Sequence, residues 1–142
     1  MNACGIIAEF DPLHNGHFYL IKKMREHSDC IVVLMSGQAT QRGEIARFDK
    51  WERAAAALNC GADVVLELPA VFSASSAERF ATASIFILSH LSGINSIGFG
   101  SESGDITRLT ETAKKCLEVD SSPDMRNLIK EGYSYPRARQ EL

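Results

Sequence analysis

Four continuous apolar runs punctuate the chain, at Ala3 to Phe10, Cys30 to Met35, Asp63 to Leu68 and Ser96 to Phe99. They do not alternate apolar with polar positions. Each therefore reads as a strand buried on both faces, unlike the half-wet strand of an antiparallel sheet. Between the runs the apolar spacing becomes helical. Asn15 to His27 brings Phe18, Leu20, Ile21 and Met24 together. Asp49 to Asn59 carries Trp51 and the stretch Ala54 to Leu58, with Asp49 as N-cap and Gly61 just past the end. Ser76 to Leu91 has Phe80, Ala83, Ile85, Phe86 and Leu88, and Asp105 to Leu117 has Leu109, Ala113 and Leu117.

Strand–helix alternation repeated four times predicts an α/β fold, a parallel sheet flanked by helices and joined by right-handed crossovers. Ligands of such sheets bind beyond the carboxyl ends of the strands. The loops there, at residues 11–16, 36–48, 69–76 and 98–104, are rich in polar residues or glycine. After Glu118 the pattern weakens. Val119 to Asp124 reads as a turn, Met125 to Glu131 as a short helix, and Gly132 to Pro136 as a further break. The predicted organisation is an α/β domain over residues 1–118 and a helical extension over 119–142. Arg137-Ala138-Arg139-Gln140 looks like a helix start without a body, so the extension is expected to begin a truncated region.

Composition narrows the class. The 142 residues are 45% hydrophobic and 23% charged, as in a globular domain, and the net charge of −3 excludes a general polyanion binder. The cysteines at 4, 30, 60 and 116 form no C-x-x-C pair and no zinc spacing. Cys4, Cys30 and Cys60 are expected as buried free thiols in a reducing compartment. No signal peptide and no apolar run of the ~20 residues needed for a membrane span is present, so a cytoplasmic protein without membrane partners is expected.

The candidate chemistry lies at Gly5-Ile6-Ile7-Ala8-Glu9-Phe10-Asp11-Pro12-Leu13-His14-Asn15-Gly16-His17. Strand, tight turn and helix start form a geometry that offers backbone N–H groups to a phosphate. His14 and His17, three residues apart, share a face of the first helical turn, and Gly16 permits close approach. A bland reading stays open, in which one histidine is satisfied by the local backbone.

These residues resemble the nucleotidylyltransferase form of the HIGH signature. Further text narrows the likeness: Met35-Ser36-Gly37, Gln41-Arg42-Gly43-Glu44, Lys50-Trp51-x-Arg53-Ala54, Gly61 to Pro69, and Phe99-Gly100-Ser101-Glu102-x-Gly104-Asp105-Ile106. In this order they resemble the tRNA(Met) cytidine acetate ligases, and Tyr135-Pro136-x-Ala138-Arg139 also fits. The resemblance implies a Rossmann-like, HUP-type nucleotidylyltransferase fold. It further implies an enzyme that turns ATP and acetate into acetyl-adenylate, then acetylates N4 of the wobble cytidine of elongator tRNA(Met).

By the same resemblance, His14 and His17 are catalytic. ATP is held by Ile7, Ala8, Glu9, Phe10, Asp11, Pro12, Leu13, His14, Asn15, Gly16, His17, Phe18, Tyr19, Leu20 and Gly100. Magnesium arrives with the phosphates, and no protein metal site is expected. Arg42 and Ser101 are candidate phosphate or acetate contacts, although a solvated loop arginine is equally compatible with the sequence. Lys50 and Arg53 are expected at the surface, Trp51 in packing, and His27 and His90 exposed. Glu67 fits a structural role and a site role equally. Asp11 departs from the asparagine usual in the family. The tRNA surface is expected largely beyond this chain. Two alternatives remain: a small-substrate enzyme of the pantetheine-phosphate or nicotinate-mononucleotide adenylyltransferase type, and a non-catalytic ATP-binding fragment.

Overall fold

The computed structural model describes residues 2–142. In chain order the elements are β1 (Ala3–Ala8), α1 (Asn15–Arg25), β2 (Cys30–Ser36), α2 (Lys50–Asn59), β3 (Val64–Leu68), α3 (Ala70–Ser73), α4 (Ala77–Ser89), β4 (Ile94–Gly98), α5 (Ile106–Ser121), α6 (Pro123–Lys130) and α7 (Tyr135–Glu141). The chain divides after Gly100 into two compact units.

In the first unit, four strands form one sheet in the order β3-β2-β1-β4. Every pairing is parallel, with Ala3 opposite Cys30 and Val32 opposite Val64. Burial on both faces explains the uninterrupted apolar runs of the central strands β1 and β2. Along β2, Ile31, Val33 and Met35 join Cys4, Ile6, Ile21 of α1 and Ala57 of α2 in one core layer. Val32 and Leu34 point the other way, to Leu68 and to Leu88 of α4. Helices α1 and α2 therefore cover one face and α4 the other. Gly5 is required by this second layer, since a Cβ there would stand 2.9 Å from a Leu88 methyl.

The strand order also locates the crevice. The chain runs outward from β1 through β2 to β3, then returns so that β4 pairs with the other side of β1. Such a reversal is a topological switch point, and the loops leaving β1 and its neighbours border an open cleft there.

Three expectations need correction. Residues 70–73 form the short helix α3 within a stretch read as loop, and the Ser73 hydroxyl donates to the Leu68 carbonyl at 3.1 Å. Trp51 is 72% exposed and makes no core packing. Helix α2 buries Arg53 and Ala57, and Trp51 lies about 200° around the helix from Arg53. Among the four free cysteines Cys4 alone is buried; Cys30, Cys60 and Cys116 are half-buried. Partial burial and the nearby Asp63 carboxylate push the Cys30 thiol up, away from the reactive thiolate.

The second unit comprises α5, α6 and α7. Helix α5 runs unbroken through residue 118 to Ser121, where the sequence suggested a turn. A single residue, Ser122, ends α5 and caps α6 by accepting the Met125 N–H at 3.1 Å. Arg139 of α7 grips Asp120 of α5 with two N–H groups, one at 2.9 Å, and holds that carboxyl below the usual carboxylate range. Among the described residues no helix is long and apolar enough to cross a membrane.

Candidate active site

Beyond the carboxyl end of β1 lies a cleft of about 430 Å³, lined by Glu9, Phe10, Asp11, Pro12, His14, His17, Thr40, Arg42, Glu44 and Arg47. All its walls come from two segments, the β1–α1 turn and the β2–α2 loop. Phe10 turns the chain out of β1 with φ of +52°, a conformation costing a bulky residue about 1–2 kcal/mol. Its ring offsets that cost: it is 1% exposed and meets the His17 ring edge-on, 4.9 Å between centroids.

The two histidines build the helix start. His14 is the N-cap of α1; its Nδ1 accepts the Gly16 N–H at 3.1 Å, while His17 Nδ1 accepts the His14 N–H at 3.3 Å. This reciprocal capping box stacks the rings, with centroids 3.8 Å apart. Its chemical consequence is definite. An Nδ1 that accepts an N–H carries no proton, so both rings are neutral and present Nε2–H as donor. Partial burial, followed by the neighbouring His14, lowers the His17 pKa, in the same direction.

The expected phosphate donors therefore change. The Gly16 amide is taken by His14, and the His17 and Phe18 amides donate to the His14 carbonyl at 2.9 and 3.1 Å. The turn offers an anion two imidazole Nε2–H groups where free backbone amides were expected. Helix polarity still helps, because the first turn of α1 carries no acidic residue. Gly16 admits the His14 ring: a Cβ there would sit 3.0 Å from His14 Cε1.

The β2–α2 loop is a small folded hairpin. Ala39 bridges Ile45 antiparallel, the Thr40 N–H donates to the Glu44 carbonyl at 2.9 Å, and Gly43 turns the tip with φ of +76°. Arg42 and Arg47 reach the cleft from it, and neither has a carboxylate within 4.0 Å among the described residues. Two acids of the β1–α1 turn pin this loop. Glu9 Oε1 accepts the Gln41 N–H at 2.6 Å, and Asp11 Oδ1 accepts the N–H groups of Arg47 and Phe48 at 2.8 and 3.3 Å. Asp11 thus caps loop backbone, and its charge is not directed at the start of α1.

Of the residues singled out by sequence, Glu9, Phe10, Asp11, Pro12, His14, His17 and Arg42 meet in the cleft. Leu13 borders a smaller neighbouring pocket, Leu20 packs on the core, and Asn15, Phe18 and Tyr19 are exposed. Ile7 and Ala8 pack within the sheet layers on opposite faces. Gly100 follows β4, and a Cβ there would meet no protein atom within 4 Å. The Ser101 hydroxyl accepts the Gly104 N–H of its own turn at 3.3 Å. Lys50 pairs with Glu67 at 2.7 Å beside Trp51, away from the cleft lining.

Arg53 overturns its surface assignment. It is 2% exposed, and its guanidinium donates to the carbonyls of Phe48, Glu9, Ser36 and Gly37. Nothing in the local sequence separates it from an ordinary helix-surface arginine. Thr40, Glu44 and Arg47 are the cleft-lining residues to which sequence reasoning gave no role.

The strand–turn–helix with its histidine pair and the loop carrying Arg42 and Arg47 thus meet at one edge of the sheet. The family profile described as HIGH Nucleotidyl Transferase matches residues 1–142. The chain belongs to the HIGH nucleotidyl transferase family. The chain is 46% identical over 144 residues to the tRNA(Met) cytidine acetate ligase of Caldicellulosiruptor bescii, and 45% identical over 145 residues to that of Clostridium tetani. In both matches 99% of this chain is covered, and it spans about a third, 36%, of each relative. Its fold superposes on the crystal structure of Thermotoga maritima TmcAL bound with alpha-thio ATP with a TM-score of 0.88 at 38% identity, covering 99% of this chain and 35% of that one. The Rossmann-like HIGH nucleotidyl transferase architecture expected from sequence is the one observed.

Proposed function

We propose that this chain is the nucleotide-binding, adenylate-forming part of a tRNA(Met) cytidine acetate ligase. One observation carries the reading: four donor side chains, His14, His17, Arg42 and Arg47, converge on one cleft at the switch point of this family's fold. The α-phosphate of ATP lies against the Nε2–H groups of the histidine pair. Arg42 and Arg47 draw the β- and γ-phosphates away from Glu9 and Asp11. Gly100, open at the end of β4, leaves room for the nucleoside, and the cytoplasm is where such a tRNA substrate is met.

An acetate oxygen attacks the α-phosphorus, the bond from that phosphorus to the bridging oxygen breaks, and pyrophosphate leaves. Neutral N–H donors fixed before the reaction stabilise charge on the phosphoryl oxygens without reorganising, usually the largest contribution to such a step. No nucleophilic side chain is required. The N4 amine of the wobble cytidine then attacks the acyl carbon and AMP departs. Magnesium travels on the triphosphate.

The test is ATP–pyrophosphate exchange. Exchange that depends on acetate, lost in His17→Ala with an unchanged far-ultraviolet spectrum, supports the reading. Unchanged exchange in His17→Ala would sink the site. Exchange that depends on a phosphorylated vitamin-like substrate would instead indicate an adenylyltransferase making a dinucleotide-type product.

A further inference from the structure

The residue that holds both walls of the cleft together is buried behind them and is not itself part of the lining. Arg53 rises from α2 beneath the junction of β1 and β2. Its Nε–H donates to the Phe48 carbonyl at 3.1 Å, and Nη1 donates to the Glu9 carbonyl at 2.6 Å and the Ser36 carbonyl at 3.1 Å. Nη2 donates to the Gly37 carbonyl. These four acceptors belong to three separate segments: the exit of β1, the exit of β2, and the end of the hairpin loop before α2.

Such an arrangement is costly unless it is complete. A buried guanidinium is tolerated only when its N–H groups are matched, and removing one side strands the other. Here no carboxylate pairs with it among the described residues; carbonyl dipoles alone receive the charge. The charge therefore sits at the edge of the sheet where the cleft opens with no carboxylate in direct contact. The planar fork also reaches three chain segments at fixed angles, which an ammonium on a flexible stem cannot reproduce.

We propose that Arg53 is a positioning residue for triphosphate binding. It fixes Glu9 and Phe48, so that the carboxylates of Glu9 and Asp11 meet the amides of Gln41, Arg47 and Phe48 and the loop presents Arg42 and Arg47 to the cleft. The proposal rests on the ATP reading for its ligand and on loop geometry for its structure, and the two are measured separately.

The experiment compares the chain with Arg53→Lys, which keeps the charge and loses the fork. ATP affinity is read by calorimetry, and loop order by the rate of tryptic cleavage after Arg42 and Arg47. The expected result is an ATP Kd raised at least tenfold and faster cleavage at both arginines, with helix content unchanged. A second variant, Arg53→Ala, should recover ATP affinity and slow cleavage at Arg42 and Arg47 together when free guanidinium is added at low millimolar concentration; recovery of neither would count against the clamp. Wild-type affinity and wild-type cleavage in Arg53→Lys would overturn the proposal.

If the variants fail to fold, hydrogen exchange on the unaltered chain decides. The amides of Gln41, Arg47 and Phe48 should exchange as slowly as those of β2 without ATP, and exchange as fast as an open loop would refute the clamp. Should the unaltered chain bind no ATP, the functional reading fails while the cleavage and exchange measurements still judge Arg53.

Discussion

Asp11 shows how much chemistry a single atom decides. The resemblance implies asparagine at this position, and a negative charge beside a triphosphate looks like a defect. Its Oδ1, however, accepts the Arg47 and Phe48 amides, and an asparagine Oδ1 can accept the same two. Asp11→Asn should therefore keep the loop anchored while removing one negative charge from the cleft wall. Calorimetry should show ATP affinity improved about 2- to 5-fold, corresponding to about 0.4–1 kcal/mol for a partly exposed charge. Weaker binding together with faster cleavage after Arg47 would show that the charge itself holds the loop. Glu9 is different, because its single accepted bond at 2.6 Å and the Arg53 bond to its carbonyl act on the same residue.

At the level of the element, helix α1 is closed at its start by the groups proposed to bind phosphate. A protonated ring has no Nδ1 lone pair, so charging His17 costs the bond from the His14 amide. Its pKa is lowered in the folded chain, so the unfolded chain binds the proton more readily. This contribution to stability is complete above the ordinary histidine pKa of about 6.5 and is lost as pH falls below it toward the lowered folded value. Hydrogen exchange at the His14 amide, corrected for intrinsic rates, should therefore quicken as pH falls below about 6.5. Pyrophosphate exchange should weaken in the same window. Protection that grows as pH falls would contradict the capping account.

The same helix shows what sequence could and could not reveal. The two histidines were visible because a strand, a turn and a helix period frame them. Their mutual capping was not, because serine, threonine, aspartate and asparagine are the usual N-caps and histidine carries no such expectation. Helix α2 gave the reverse error. Its period places Arg53 and Ala57 on one stripe, but an arginine on a short helix is read as solvated unless its acceptors are known, and those carbonyls lie in three segments brought together only by folding.

For the whole molecule, the alternation of strand and helix was legible because the central strands β1 and β2 are buried on both faces, while the edge strands β3 and β4 keep exposed positions such as Val64 and Ser96. The continuous apolar runs match β1 to β3 closely, β4 begins two residues before its run at Ile94, and their order places the loops at one edge. The second unit was less legible. Its helices bury little, with Met125 and Ala138 as their buried positions, so the apolar period is faint and α5 extends past the point where the pattern fades. All the residues that line the cleft lie in the first unit: its histidines, arginines and loop-pinning acids precede Gly100.

The central claim is that two neutral imidazoles, fixed by backbone amides, receive the phosphates of ATP through Nε2–H. Nitrogen-15 NMR of the histidine rings, recorded near pH 7.5 during titration with ATP, tests it directly. The account predicts the Nε2–H tautomer for His14 and His17 before ATP is added, and a saturable shift of both Nε2–H resonances as it binds. An Nδ1–H tautomer at either ring, or resonances unmoved at saturating ATP, would contradict it.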